Sequence, residues 1–229
     1  MLRQREDAFG NIIHVLSASG EFTQFSLSVD GEVETQDTAG IVRGAIEHFP
    51  PALYLRETAL TEPNAAIVDF ARTAAGRAKN GPLDRLHKLL IGLHDHMTFE
   101  IGATDSGTSA IEAFQAGRGV CQDLSHVFIA AARTIGIPCR YVAGHLFRSD
   151  LVTPQEAGHA WAEAYIEDLG WVGFDPANGI SPTDSYIRIA IGLDYLGAAP
   201  VRGAQTGGSD ERLAVAVTVD QTAQQQQQG

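Results

Sequence analysis

Cysteine is scarce in this chain, with only Cys121 and Cys139 among 229 residues. A chain of that length can bury a core without cross-links, so no disulfide framework is implied and a reducing compartment fits. Positive charge is also short: 16 Lys and Arg stand against 28 Asp and Glu, a net charge of -12. Nucleic acids and anionic membranes attract positive surfaces, so neither is expected as a partner. Long apolar runs are missing as well. The best one is interrupted by Arg133 and falls short of the roughly 18 to 20 residues of a membrane span. Residues 1–11 lack the apolar segment of a signal peptide. The cytoplasm is therefore the expected location, although the start of the chain reads as cut short. No internal repeat is visible.

What is present is 44% hydrophobic residues, enough for one large domain or one domain plus a fragment. Residues 1–36 read as two or three strands: Ile12 to Leu16 is a β-branched run, Phe22, Phe25, Leu27, Val29 and Val33 largely alternate with polar neighbours, and Asp30-Gly31 suits a hairpin turn. So few strands make no stable sheet alone, so this segment is expected to be the remnant of a β-domain and to pack on the rest. Residues 37–63 read as an irregular connector broken at Pro50-Pro51. Helices are expected over 64–79, over 83–97 where Leu83, Leu86, Leu89, Leu90 and Leu93 recur at three and four, over 108–115 with Thr108 or Ser109 as cap, and over 121–135. Gly136 and Pro138 stop the last of these. Strands follow over 139–147, 159–166, 171–174, 186–191 and 213–219. Helices first and strands afterwards indicate an α+β fold, with an antiparallel sheet behind the helix that starts at Cys121. That catalytic domain is bounded at 64–220, and the Gln-rich residues 221–229 are expected to be a disordered tail.

The stretch Gly117-Arg118-Gly119-Val120-Cys121-Gln122-Asp123 carries the chemistry. Two glycines permit a tight turn and close approach of backbone to a substrate. A cysteine at a helix N-terminus meets unpaired N–H groups and the positive end of the helix dipole, which favour the reactive thiolate. An isolated intracellular cysteine also reads as a small buried hydrophobe, so a base is needed to decide. His159 and Asp175 follow on separate expected strands, in the order Cys, His, Asp. Adjacent antiparallel strands would set them side by side, where the imidazole takes the thiol proton and the carboxylate orients the ring. Glu163, two residues from His159 on the same side of its strand, is the rival orienter.

Four blocks in this order resemble the transglutaminase-like superfamily, and in particular its bacterial branch described as candidate cysteine proteases: Gly119-Val120-Cys121-Gln122-Asp123, residues 136–144, His159-Ala160-Trp161-Ala162-Glu163-Ala164-Tyr165 and residues 170–178. The resemblance covers about residues 64–219. It implies a papain-like core with Cys121 as nucleophile, His159 as base and Asp175 as orienter, acting without cofactor or metal on a peptide or protein substrate through a thioester. A peptidase or amidase is the first reading, a protein-crosslinking transferase the second, and a silent peptide-binding scaffold the third. The branch usually carries a longer β-rich region before this core, of which residues 11–35 look like the end. Animal members also hold a tryptophan upstream of the cysteine, whereas Trp161 and Trp171 both lie downstream here. The oxyanion is therefore assigned to the Cys121 N–H and, by the spacing papain-like proteases use, to Gln115, with a solvent-facing helix residue as the plain alternative. Trp161 reads as core or as a wall of the cleft.

Other residues carry less. His87, His94 and His96 do not share one helix face, so a metal set is not expected. His126 reads as a hydrogen-bonded core residue, His145 as a strand end, and Gln122 and Asp123 as first-turn residues that suit the helix dipole. Cys139 reads as a buried strand residue, with a silencing Cys121–Cys139 disulfide as the alternative. Oligomeric state is left open by the sequence.

Overall fold

The computed structural model describes residues 2–17, 19–20, 24–147, 158–203 and 215–220. In chain order its elements are β1 (Leu2–Glu6), β2 (Ile12–Leu16), a 3-10 turn at Pro51–Leu55, α1 (Ala65–Ala75), α2 (Gly81–His96), β3 (Thr98–Phe99), α3 (Ala110–Ala116), β4 (Arg118–Gly119), α4 (Cys121–Thr134), β5 (Cys139–Leu146), β6 (His159–Ile166), β7 (Gly170–Phe174), β8 (Tyr186–Gly192) and α5 (Tyr195–Ala198). The expected helices and the expected strands between residues 139 and 191 appear within a few residues of their predicted limits.

Local chemistry explains the helix starts. The Asn64 side chain accepts from Ile67 N at 3.0 Å, and Ser109 accepts from Glu112 N at 3.3 Å while Glu112 accepts from Ser109 N at 2.9 Å. Each replaces a partner that a first turn lacks. Leu86, Leu89, Leu90 and Leu93 of α2 are buried on one stripe, as their spacing requires. Each contributes about 1.5–3 kcal/mol of burial energy. α4 differs, because every residue from Asp123 to Arg133 is buried. The other helices cover part of it and the sheet covers the rest.

That sheet is antiparallel in the order β7-β6-β5-β8. On β6, Ala160, Ala162 and Ala164 belong to the core around α4, and such small side chains let a helix lie close. Trp161 and Glu163 alternate onto the opposite face. There Arg140 is fully buried, and its Nε donates to Glu163 at 2.7 Å. Its Nη1 donates to Glu47 at 2.6 Å, and its guanidinium lies 3.8 Å from the Trp171 ring centroid. Arg188 donates to the same Glu163 at 2.7 Å. The segment expected as a loose connector is thus part of the packing. It supplies Glu47 and buried Tyr54, and it covers the β7 edge through Val42 N donating to Trp171 O and Gly173 N donating to Gly40 O.

Arg133, which broke the apolar run, is held by neutral oxygens. It donates to the carbonyls of Tyr54, Cys139 and Leu193 and to the Thr61 hydroxyl, all within 3.1 Å. Burial lowers its basicity to about 10, so it stays charged near neutrality.

The N-terminal expectation needs correction. β1 pairs with β2 around a turn at residues 7–11, and the Asn11 side chain anchors the hairpin to β8 by bonding both N and O of Ile191 at 2.8 Å. Residues 24–37 form no strand and are exposed, so Asp30-Gly31 turns no hairpin. Alternation stabilises a strand only where one face meets a second layer, and none covers Phe25, Leu27, Val29 or Val33. Phe22 lies outside the described residues, as do Leu213, Ala214 and the tail at 221–229. The rest of the expected last strand, 215–219, is also not a strand, although Val217 makes a single bridge. Among the described residues no helix is long and apolar enough to cross a membrane.

Glu163→Ala would leave Arg140 buried without one of its carboxylates, and chemical denaturation should read a loss of about 3–5 kcal/mol. Glu100→Ala, which breaks the exposed pair with Arg118, should cost under about 1 kcal/mol. Equal losses at the two positions would refute the assignment of the Arg140 network as buried and tightly paired.

Candidate active site

The nucleophile turn is fixed on both sides. α3 ends at Gly117 with φ 65, the left-handed conformation that favours glycine. β4 then runs parallel to β3, with Thr98 N donating to Gly117 O and Glu100 N to Gly119 O, each at 2.9 Å. A Cβ on Gly119 would stand 2.7 Å from the Asp123 Cβ and Oδ2, so this position requires a glycine. Val120 has no side-chain oxygen to cap α4, and Asp123 does the work from the first turn. Its Oδ2 accepts from Val120 N at 2.8 Å and from the Thr104 hydroxyl at 2.6 Å. Burial pushes its carboxyl up despite those two bonds. Cys121 is consequently the first residue of α4 and half-buried. Among the described residues the N–H groups of Cys121 and Gln122 donate to no acceptor, leaving them free to face an incoming oxygen.

His159 opens β6 and Asp175 directly follows β7, its neighbour in the sheet. His159 Nε2 donates to Asp175 Oδ2 at 2.6 Å; the histidine side chain is 12% exposed and the aspartate 0%. This leaves Nδ1 as the ring nitrogen for Cys121. Burial works against charge on the imidazole. Hydrogen bonds to Asp175 and to the Cys121 sulfur outweigh it and raise His159 to about 10. Burial likewise opposes charge on Asp175, yet its partners hold the carboxyl below its ordinary value. Oδ1 accepts from Ala177 N at 2.9 Å and Asn178 N at 3.1 Å, while Oδ2 also accepts from Asn178 Nδ2 and the Tyr186 hydroxyl, both at 2.7 Å. Of the three side chains singled out by chemistry and order in the sequence, His159 and Asp175 therefore bond directly, and Cys121 lies near enough to act on the imidazole.

Residues 69–176, which contain all three, match the family model of the transglutaminase-like superfamily. A solved structure of a candidate cysteine protease from Cytophaga hutchinsonii superposes with a TM-score of 0.56 at 25% identity, over 74% of this chain and 57% of that one. Over residues 69–176 this is a transglutaminase-like domain. An uncharacterised protein of Mycobacterium leprae is 27% identical over 95% of this chain and 81% of its own length. One of Mycobacterium tuberculosis is 31% identical over 67% of this chain and 52% of its own length. The chain thus spans about half of the Mycobacterium tuberculosis relative and somewhat more of the Cytophaga protein.

Within the transglutaminase-like domain the rival orienter is excluded, because Glu163 is engaged by Arg140 and Arg188 on the far face of the sheet. Trp161 does not wall a cleft. It is 2% exposed and packs with Val142, Tyr186 and Ile191, because Gly144 on β5 has no Cβ and lets the indole lie across it. Its ring stacks 6.1 Å from that of His159. Gln115 is exposed on α3 and makes no hydrogen bond among the described residues, so it is not joined to Cys121, His159 or Asp175.

His94 braces the turn that carries Asp175, with Nδ1 3.2 Å from Pro176 O. His87 and His96 pack against aromatic rings, and among the described residues no cluster suits a metal. His126 accepts from Tyr195 N at 3.0 Å and is depressed to about 4 by burial, as expected of a core residue. Half-buried His145 is the penultimate residue of β5, its basicity lowered by burial. Cys139 is buried and its thiol is pushed up to about 12. The silencing disulfide is ruled out by length. Cys121 begins and Cys139 follows the 14-residue α4, about 21 Å long, whereas bridged Cα atoms lie within about 7 Å. Tyr186 and Asn178 were missed by the sequence reading. Asn178 had a faint signal in its position just after Asp175-Pro176, and Tyr186 had none.

His126 and His159 act on stability with opposite signs. The contribution of His126 is present above its ordinary value of 6.5 and lost as pH falls through about 4. That of His159 is present below 6.5 and lost as pH rises through about 10. Urea unfolding of His159→Gln should therefore show a deficit of a few kcal/mol near pH 6.5 that shrinks toward pH 10. A deficit independent of pH would contradict the charged hydrogen bond to Asp175.

Proposed function

We propose that this domain is a cysteine-dependent hydrolase of peptide amide bonds, a peptidase or amidase working through a thioester. The observation that carries this reading is the 2.6 Å hydrogen bond between His159 and Asp175, with Cys121 at the N-terminal end of α4 close enough to act on the same imidazole. The Cys121 sulfur, having passed its proton to His159, attacks the amide carbonyl. The oxyanion formed faces the N–H groups of Cys121 and Gln122. The imidazolium then protonates the amine as the C–N bond breaks, leaving the acyl group on sulfur. Water, giving its proton to His159, attacks the thioester and regenerates the thiol. Asp175 stays ionised throughout and holds the ring in the tautomer that presents Nδ1.

The likeness to the Cytophaga protein supports hydrolysis as the outcome, since that protein is described as a candidate protease. We place the reaction in the cytoplasm, in keeping with a thiol nucleophile that has no partner for a protective disulfide.

The test uses glutamine-containing peptides with and without an added primary amine. Ammonia or new amino termini should form without the amine, and Cys121→Ala should lower the rate by at least about 10³-fold with the circular dichroism spectrum intact. Undiminished turnover in Cys121→Ala would refute the mechanism. Product that forms only when amine is supplied would replace hydrolysis by crosslinking.

A further inference from the structure

Tyr186 begins β8, two strands away from β6, and its place next to the triad comes entirely from pairing with β5. Its hydroxyl donates to Asp175 Oδ2 at 2.7 Å and accepts from Asn178 Nδ2 at 3.2 Å. Its ring stands edge-on to His159 at 5.7 Å and to Trp161 at 5.4 Å. One carboxylate oxygen therefore serves His159, Asn178 and Tyr186 together. An ionised carboxylate offers about two lone-pair sites per oxygen, so these donors compete for the same electron density. Burial, and then the charge of Asp175, push the Tyr186 phenol far above its ordinary value, so it remains a donor over the whole working range.

We propose that Tyr186 is a positioning residue of this site: by sharing Asp175 Oδ2 with His159, its hydroxyl weakens the hold of the carboxylate on the imidazolium and makes the ring readier to release its proton. The proposal rests on the acyl-transfer reading, which asks His159 both to take a proton from sulfur and to give it to a leaving amine. A bare carboxylate would retain the imidazolium too strongly for the second step. The groups facing His159 among the described residues are Cys121 from α4, Asp175 from the turn after β7, and Tyr186 with Trp161 from the sheet. Of these, only Tyr186 acts on His159 through a shared acceptor while keeping its own charge state fixed.

Tyr186→Phe keeps the ring and removes the hydroxyl. NMR titration of ring-¹⁵N-labelled protein, with His159 assigned against His159→Gln, should show its midpoint rise by about 0.5–1 pH unit. In the peptide assay kcat should fall about 3–10-fold with KM unchanged, since only the proton-donating step is impaired. Asn178→Ser, which shortens the other competing donor, should move the midpoint in the same direction, and it tests the idea independently should Tyr186→Phe fold poorly. A midpoint that stays or falls in both variants overturns the proposal. Cys121→Ala separates this failure from that of the parent reading, because losing the sulfur contact should lower the His159 midpoint. If Cys121→Ala leaves it unmoved, the acyl-transfer reading itself is at fault.

Discussion

Burial of α4 on all sides from Asp123 to Arg133 is the constraint from which the rest of this structure follows. A helix enclosed this way leaves the charged side chains near its two ends without solvent, so the protein must supply partners for both. At the C-terminal end Arg133 gathers the carbonyls of Tyr54, Cys139 and Leu193, tying the helix to the connector, to β5 and to the approach to α5. At the N-terminal end Asp123 caps Val120 from within and takes the Thr104 hydroxyl on the same oxygen. Cys121 is left half-buried where the enclosure opens at the N-terminal end, on a helix that cannot slide without breaking either set of bonds.

The sheet completes the arrangement by dividing its labour between two faces. Alanines on β6 receive α4, and the other face holds charges that cancel one another, with Glu163 between Arg140 and Arg188. Because β6 and β7 are antiparallel neighbours, the first residue of one and the residue after the other come to the same edge, where His159 and Asp175 bond. The match to the transglutaminase-like superfamily spans α4 and strands β5 to β7, and leaves out the N-terminal hairpin and β8.

What could be read from the sequence is what depends on neighbours close in the chain. Leucines at three and four gave α2, Thr108 or Ser109 as cap gave the start of α3, and a glycine-flanked cysteine followed by a histidine and an aspartate gave the candidate site. Contacts made across the sheet left no local mark. Tyr186 looks like any aromatic at the start of a strand until β8 pairs with β5, and Trp161 is drawn inward because a distant glycine, Gly144, makes room for its ring. Strand β1 hid for a different reason: Arg3, Arg5 and Glu6 disguise it, since it is exposed along its whole length. Residues 24–37 erred the opposite way, their alternating apolar side chains suggesting a ladder where nothing covers them.

The distance that α4 puts between the two thiols has a chemical corollary. Within these 229 residues the proposed nucleophile lacks a resolving cysteine, so peroxide would convert Cys121 to a sulfenic acid with no thiol of this stretch to condense with it. Its rescue depends on a small thiol diffusing in from solution, and without one oxidation proceeds to the irreversible sulfinic state.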